Sequence, residues 1–337
     1  MHNDRGNNYF LYCRNPFQLE NQGSCYTRFS KNATEKTTSY GNTLWLFTEG
    51  VRLMKKDGID IFWGTRQMLP PYLPGKTKKI LVVYDLVWHY FPETMEHYNR
   101  MIAKFLFKRA IREADHIVTI SEATASSLVE IVGVPREKVS LIYPAAGAYA
   151  RLAKNDSSDY IADKYGAGRD YILTVSTVEP RKNLKTLLRV FSELKGEGLQ
   201  LLVAGASGWK NSFIYQEYER LGLTERDVKF LGYVPDEDMN RLYSGAQLFV
   251  FPSIYEGFGM PVLEAMASGT PVIVSNASSL PEVAGDSGIL LDPHDEKGWK
   301  EAIIKVISGR DLQKKMIREG LERVKLFSWD ESALKMR

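Results

Sequence analysis

The sequence contains little cysteine and no long apolar run. Two of its 337 residues are cysteines, Cys13 and Cys25, which is too few for a disulfide framework, and no Cys/His spacing resembles a zinc site. No apolar stretch approaches the roughly 20 residues that cross a bilayer. The polar start of the chain lacks the apolar core of a secretory signal. These absences argue against a transmembrane or disulfide-rich secreted protein, so we expect a cytoplasmic location.

The chain also lacks a dominant charge of one sign. Lys and Arg number 44 against 41 Asp and Glu, a net charge of +3. Such a balance argues against a nucleic-acid partner, because binding phosphates in competition with salt needs a strongly basic surface. Residues 1–150 are more basic than the rest. Peripheral contact with an anionic membrane surface would account for this, and so would ordinary variation between domains.

Apolar segments alternate with amphipathic ones in the second half of the chain. The short, β-branched apolar runs are typical of buried strands, and the segments between them have helical spacing. We expect strands at 171–177, 199–205, 228–232, 246–253, 270–276 and 288–293. Such alternation predicts β-α-β units and a doubly wound parallel sheet.

The first half repeats this pattern less clearly. The predicted strands are 8–13, 59–64, 79–86, 116–122 and 139–145, with a long amphipathic helix at 93–114. We therefore predict an α/β protein with two doubly wound, Rossmann-like domains that face each other across a cleft. The predicted boundaries are 1–146 for the first domain, 147–160 for a linker and 161–337 for the second domain. Ligands should bind in the cleft, at the carboxyl ends of the strands.

A glycine-containing loop gives the densest functional pattern. The string SIYEGFGMPVLEAMASG (253–269) follows a strand and leads into a helix that begins near Pro261. Glycines allow backbone N–H groups to approach a ligand, and a helix N-terminus favours a phosphate. Glu264 in the first helical turn could bind two ribose hydroxyls. A glycine turn followed by a glutamate that complements the helix dipole is the structural alternative.

A second candidate loop, EPRKN (179–183), directly follows the strand 171–177. Arg181 and Lys182 could together neutralise a diphosphate leaving group. A solvated loop capped by Asn183 is the structural alternative. No P-loop, Gly-x-Ser-x-Gly motif or complete dinucleotide motif is present, and we expect neither a metal site nor a bound cofactor.

These motifs, together with GASGW, FLGYVPDED and SSLPEVAGDSGILLDP, resemble glycosyltransferase family 4 over roughly residues 44–331. The resemblance implies the GT-B fold and a retaining, metal-independent transfer of a hexose from a nucleotide sugar. EPRKN is common in the mannosyltransferase-like branch, which favours GDP-mannose as co-substrate. The implied acceptor is a glycan or a lipid-linked acceptor, as in polysaccharide biosynthesis at the inner face of a membrane.

The resemblance also implies roles for individual residues. Glu256, Arg181, Lys182 and Asp85 would be catalytic. Donor binding would fall to Gly257, Phe258, Gly259, Met260, Glu264, Tyr233 and Val234. Tyr84 and Ser121 would lie on the acceptor side, in the first domain.

The sequence departs from the family pattern at three places. Thr177 stands where the family has an arginine, for which Arg181 would substitute. Tyr84-Asp85 stands where the family has a His-Asp pair, and a tyrosine does not share a proton near neutral pH. The glycine-rich first loop is missing, so we expect the first β/α unit to be absent.

Two other functions therefore stay open at this point. One is a catalytically impaired or noncatalytic nucleotide-sugar-binding remnant. The other is an epimerase or hydrolase, for which no acid/base pair is evident.

Overall fold

A computed structural model describes residues 6–14, 25–29, 39–94, 97–147, 150, 157–168, 170–196, 198–208 and 210–336. The chain divides into two compact units. Unit 1 comprises Met1–Val82 and Phe105–Ile117, and unit 2 comprises Val83–Lys104 and Val118–Arg337. The domain boundaries expected from the sequence, at residues 146 and 161, stay a prediction.

Short strands and helices alternate along the chain. The first elements are β1 (Tyr9–Cys13), β2 (Cys25–Phe29), α1 (Ser39–Trp45), α2 (Val51–Asp57), β3 (Ile61–Gly64), β4 (Lys78–Val83), α3 (Val87–Tyr90), α4 (His97–Glu113), β5 (His116–Thr119), α5 (Glu122–Ser127), β6 (Val139–Leu141) and α6 (Ser157–Tyr165). The others are β7 (Tyr171–Val175), α7 (Leu184–Ser192), β8 (Gln200–Ala204), α8 (Ser212–Arg220), β9 (Val228–Gly232), α9 (Asp236–Ser244), β10 (Leu248–Phe251), α10 (Met260–Ala267), β11 (Val272–Ser275), α11 (Leu280–Ala284), β12 (Ile289–Leu291), α12 (Glu296–Ser308), α13 (Arg310–Val324) and α14 (Trp329–Lys335).

The first part of the chain forms two small sheets. β1 and β2 pair in parallel, and β3 to β6 form a four-stranded sheet in the order β3-β4-β5-β6. Along the edge strand β3, Phe62 is buried and Ile61 and Trp63 are exposed, as the two-residue repeat of a strand requires. β2 was not predicted from the sequence, because five residues of mixed polarity give no periodic pattern.

The long helix α4 buries only part of the face that its sequence predicts. The apolar spacing assigns one face to Met101, Ile102, Phe105, Leu106 and Ile111. Ile111 is buried as expected, at 8% exposure, but Phe105 is 66% exposed. Phe107 and Ala110 are buried with Ile111, because residues three and four apart share one helix face. The side chains of residues 94–103, which include Met101 and Ile102, lie outside the described residues.

The six-stranded parallel sheet of unit 2 has the order β12-β11-β10-β7-β8-β9. From β7 the chain moves outward to β8 and β9, returns to β10 beside β7, and then moves outward on the other side. This is the doubly wound order, whose direction reverses between β7 and β10. The α/β class and the six predicted strands are confirmed, and the loops after β7 and β10 leave the sheet at the point of reversal.

Both faces of this sheet are covered by helices. Ile172 and Leu173, adjacent on β7, belong to two different hydrophobic clusters. One cluster includes residues of α9, α10 and α11, and the other includes residues of α7, α8 and α12. Strands buried on both sides are apolar at every position rather than at alternate ones, which explains the continuous apolar runs of the sequence.

Helix α6 begins inside the segment predicted as a linker, 147–160. Its residues Tyr160 and Tyr165 donate hydrogen bonds to the carboxylate of Asp238 on α9, at 2.7 and 2.5 Å. Ile161 is fully buried against the same cluster. These tertiary contacts order a helix that local sequence did not indicate. Residues 148–149 and 151–156 of the predicted linker lie outside the described residues.

A charge cluster joins α7 and α8 on the surface of unit 2. The Glu217 carboxylate accepts hydrogen bonds from Arg220 and Arg189, at 2.8 and 2.6 Å. These bonds, that of Arg220 first, lower the pKa of Glu217 from 4.5 to about 2, although burial acts to raise it. Glu217 therefore stabilises the fold as an anion.

Candidate active site

Two loops of unit 2 meet at the carboxyl ends of β7 and β10, where the winding of the sheet reverses. EPRKN follows β7, and residues 252–259 follow β10. The Ile254 N–H donates to the Arg181 carbonyl at 2.9 Å. Asn183, with a left-handed φ of 54°, donates to the carbonyls of Pro252 and Pro293 at 3.2 and 2.6 Å. The two predicted loops therefore form one bonded structure.

The carboxylate of Glu256 is the centre of this structure. It accepts hydrogen bonds from Lys182 Nζ at 2.6 Å, Ser253 Oγ at 2.6 Å and Arg181 Nη1 at 3.2 Å. The side chains of Glu256 and Lys182 are only 10% and 12% exposed. A buried carboxylate needs such partners, because an unpaired buried charge is costly.

Arg181 joins Glu256 to two further groups. Its guanidinium donates to the Tyr255 carbonyl at 2.7 Å and to Glu179 at 2.6 Å. Burial acts to lower the pKa of Arg181, but the charges of Glu256, Glu179 and Asp85 raise it above its ordinary value. Arg181 is therefore a fixed cation, held in place by carboxylates on two loops.

Serines fix the backbone of the loop around Glu256. The Glu256 N–H donates to Ser278 Oγ at 2.8 Å, and its carbonyl accepts from the hydroxyls of Ser278 and Ser279 at 3.0 Å each. Ser279 also donates to the Phe258 carbonyl at 2.8 Å. The loop is thus held in one conformation before any ligand binds.

Glycine is required at two positions of this loop for packing reasons. A Cβ on Gly257 would lie 2.3 Å from the Tyr84 carbonyl oxygen, and one on Gly259 would lie 2.7 Å from Leu280. Gly259 also has a φ of +113°, which only glycine adopts readily. The close approach at Gly257 brings the backbone of Tyr84 and Asp85 against the loop, a contact that the sequence did not indicate.

Helix α10 begins directly after this loop. The N–H groups of Val262 and Leu263 bond to the Gly259 carbonyl, and Pro261 has no N–H. The N–H groups of Gly259 and Met260 precede the bonded part of the helix, where the helix dipole is positive. Glu264 was expected in the first turn, but α10 begins at Met260 and Glu264 follows in the second turn. Its side chain is 8% exposed and accepts a hydrogen bond from Tyr243 at 2.9 Å.

Three other predicted donor-binding residues differ in exposure. Tyr233 is 73% exposed, and Val234 and Phe258 are 5% and 3% exposed. Both buried side chains belong to the hydrophobic core, so only their backbone can face a ligand. Gly232, before Tyr233, has a φ of +68° and ends β9 at the same edge of the sheet.

The predicted acceptor-side residues occupy varied positions. Tyr84 is 37% exposed, and burial raises the pKa of its hydroxyl, so it is neutral at physiological pH. Asp85 Oδ1 accepts from the Val87 N–H at 3.2 Å. Ser121 is fully buried, and its hydroxyl caps α5 by accepting from the Thr124 N–H at 3.1 Å. A role of Ser121 toward an acceptor stays a prediction.

Sequence reasoning missed several residues of this site. Glu179 and Ser253 belong to the quoted strings, but nothing in the strings shows that they bond Arg181 and Glu256. Tyr243, the donor to Glu264, precedes it by 21 positions on another helix. Only the fold brings it there.

The described residues form neither a metal-binding cluster nor a membrane-spanning helix. Among the described residues no group of three or more His, Cys, Asp or Glu side chains is placed to hold a metal ion. Within the same residues, no helix has the length and apolar character needed to span a bilayer.

Two family models match the chain. The model described as "Glycosyltransferase Family 4" matches residues 2–146, and the model described as "Glycosyl transferases group 1" matches residues 161–323. Together they cover most of the sequence, including both loops of the site.

Curated relatives are similar over much of this length. O-antigen chain mannosyltransferase B of Escherichia coli is 33% identical over 274 residues, which are 77% of this chain and 69% of that protein. Serotype-specific mannosyltransferase WbdA of Escherichia coli is 30% identical over 248 residues, which are 72% of this chain but only 30% of that much longer protein.

Solved structures share the fold. Sucrose-phosphate synthase of Thermosynechococcus elongatus has a TM-score of 0.76 at 21% identity, covering 97% of this chain and 86% of its own. HepE of Anabaena, in complex with UDP and glucose, has a TM-score of 0.73 at 18% identity, covering 93% and 85%. At these identities the likeness concerns the fold alone, and it agrees with the Rossmann-like, GT-B architecture expected from the sequence.

Proposed function

Since the chain belongs to glycosyltransferase family 4 and is a hexosyltransferase, we propose that it transfers mannose from GDP-mannose with retention of configuration. The proposed acceptor is a glycan or a lipid-linked acceptor, and the proposed location is the cytoplasm, at the inner face of a membrane. The observation that carries the proposal is the buried contact of Glu256 with Lys182 and Arg181 beside the N-terminus of α10. The mannosyltransferase relatives favour the sugar.

The donor diphosphate would bind where these cations adjoin the start of α10. The N–H groups of Gly259 and Met260 and the helix dipole favour an anion there. Lys182 would exchange its 2.6 Å contact with Glu256 for a phosphate oxygen. Arg181 would stay bound to Glu179, and its positive charge would also attract the diphosphate. Glu256, released from Lys182, would accept a hydrogen bond from the transferred sugar.

The nucleoside would bind at the neighbouring strand ends. Glu264 would accept hydrogen bonds from the two ribose hydroxyls, in addition to or in place of the one from Tyr243. The exposed ring of Tyr233 would stack on the base, with the Val234 backbone beside it. This arrangement gives a contact to Gly259, Met260, Glu264, Tyr233 and Val234, and leaves the predicted roles of Gly257 and Phe258 in donor binding without an assigned contact.

The reaction needs one bond exchange. The bond between the sugar C1 and the diphosphate oxygen breaks, and a bond forms between C1 and the acceptor hydroxyl oxygen on the same face. The acceptor proton passes to an oxygen of the departing diphosphate. Arg181, Lys182 and the loop amides would stabilise the charge that grows on the diphosphate, and two cations at this position make the proposed reaction independent of a divalent metal. Tyr84 and Asp85 would orient the acceptor.

Turnover of nucleotide sugars tests the proposal. Purified protein should release GDP from GDP-mannose in the presence of EDTA and an oligosaccharide acceptor, and NMR of the glycosylated product should show an α-linked mannose. Lys182→Met should lower the rate at least 100-fold, whereas Lys325→Met, which changes an exposed lysine, should leave it unaltered. An inverted product, or an undiminished rate in Lys182→Met, would show that the assignment is wrong.

A further inference from the structure

A pocket of about 290 Å³ lies beside Glu256 in unit 2. It is lined by Tyr90, Phe91, Ala123, Thr124, Ser127, Ile254, Tyr255, Glu256 and Ser278. We propose that this pocket binds one pyranose ring of the acceptor, next to the sugar that is transferred. The inference rests on the proposed function, because it takes Glu256 as the residue that faces that sugar.

One wall of the pocket is an aromatic platform. The ring centroid of Tyr255 lies 4.9 Å from that of Tyr90 and 5.7 Å from that of Phe91. Tyr255 is 7% exposed, and its hydroxyl accepts a hydrogen bond from the Leu86 N–H at 2.8 Å. The platform is therefore rigid. A pyranose ring presents a face of C–H groups that can pack on such rings, and a rigid wall requires little ordering when the sugar binds.

The rest of the lining carries hydroxyl groups. The hydroxyls of Tyr90 and Ser127 lie 3.0 Å apart. Thr124 Oγ1 donates to the Tyr84 carbonyl at 3.2 Å, and Ser278 bonds the Glu256 backbone. A hydroxyl both donates and accepts, so these groups can also bind sugar hydroxyls. An apolar wall with a few convergent polar groups is typical of small-molecule sites. A sugar ring matches such a site, because its C–H face can pack on the apolar wall while its hydroxyls bond the polar groups.

The position of the pocket favours the acceptor over the donor. Its lining includes neither Arg181 nor Lys182, the cations proposed for the diphosphate, and it does not include Glu264. Its volume of about 290 Å³ is just below the roughly 300–1,000 Å³ of ligand pockets, which suits one sugar ring rather than a nucleotide. Tyr90, Phe91 and the α5 residues of the lining come from the segment predicted to be acceptor-side, residues 1–146, whereas Tyr255 comes from the second half of the chain.

Binding of simple sugars tests the inference without knowledge of the natural acceptor. Saturation-transfer NMR would be recorded with the methyl pyranosides of mannose, glucose, galactose and N-acetylglucosamine, with GDP present. At least one of them should bind the wild-type protein. Ala123→Leu, which fills the pocket, and Tyr90→Ala, which removes part of the platform, should weaken that binding at least tenfold. Tyr72→Ala, at an 83% exposed tyrosine of unit 1, is the control and should have no effect.

The affinity for GDP, measured in the same samples, separates the two proposals. Unchanged GDP binding in both pocket variants shows that they are folded and that the effect belongs to the pocket. If no pyranoside binds, or if binding persists in both variants, the inference is wrong. It is also wrong if a non-transferable GDP-mannose analogue displaces the pyranoside where GDP does not, because the pocket would then hold the donor sugar. Failure of the wild-type protein to bind GDP would instead contradict the proposed function.

Discussion

Replacing Glu256 by glutamine removes the buried negative charge but keeps the size of the side chain. Three donors bond the carboxylate, from Lys182, Ser253 and Arg181. Arg181 retains its bonds to Glu179 and to the Tyr255 carbonyl. The substitution therefore affects Lys182 most, because it removes the anion that Lys182 contacts. Removing one partner of a buried ion pair costs about 3–5 kcal/mol. Because the glutamine amide oxygen can still accept one hydrogen bond, we expect the free energy of unfolding to fall by about 3 kcal/mol, at the lower end of this range.

For a cooperative unit of this size, such a loss lowers the melting temperature by about 6–12 °C, at about 2–4 °C per kcal/mol. Differential scanning calorimetry measures the shift. Glu322→Gln is the matched control, because its contact with Lys325 is 2.7 Å long but two-thirds exposed. Exposed pairs contribute about 0–1 kcal/mol. A shift in Glu256→Gln no larger than in this control would refute the view that the site depends on a buried charge network.

Three other substitutions test separate contacts. Gly257→Ala should destabilise unit 2 by about 1–3 kcal/mol, measured by urea denaturation, and lower turnover, because its Cβ would lie 2.3 Å from the Tyr84 carbonyl oxygen. Tyr243→Phe removes a buried donor to Glu264 and should cost about 1–3 kcal/mol in the same assay. Glu217→Gln should flatten the acid side of the pH-stability curve. The stabilisation by the Glu217 anion is complete above its unfolded-state pKa, near 4.5, and is lost as the pH falls to about 2.

Each of the three substitutions has a control variant or a result that would contradict the prediction. Gly75→Ala, where a Cβ would have no neighbour within 4 Å, should be neutral. If Tyr243→Phe is as stable as wild type, the bond to Glu264 contributes nothing. An unaltered slope between pH 5 and pH 2 in Glu217→Gln would assign the acid sensitivity to other carboxylates.

The sequence predicted the sheet of unit 2 well, for a physical reason. Strands covered on both faces are apolar at every position, as in residues 248–251, and the helices between them show the 3.6-residue repeat. The two site loops were also predictable, because loops after neighbouring parallel strands meet at one edge. The short strand β2 and the exposure of Phe105 on α4 were not, since both depend on contacts with other segments.

The contacts within the site were beyond sequence reasoning. The roles of Arg181 and Lys182 toward a diphosphate stay predictions, but the sequence did not show that both bond Glu256, 75 and 74 positions later. Nor did it show that the hydroxyl of Ser121, predicted on the acceptor side, caps a helix. Pairings of this kind depend on tertiary packing, which a residue's type and its neighbours in the chain do not reveal.

Calorimetric titration of GDP into the wild-type protein and two variants tests the central claim, that Glu256 and a donor diphosphate compete for Lys182. Lys182→Met should weaken GDP binding at least tenfold, or about 1.4 kcal/mol. Glu256→Gln, which leaves Lys182 without its carboxylate partner, should bind GDP more tightly than the wild type. Wild-type affinity for GDP in Lys182→Met would contradict the account.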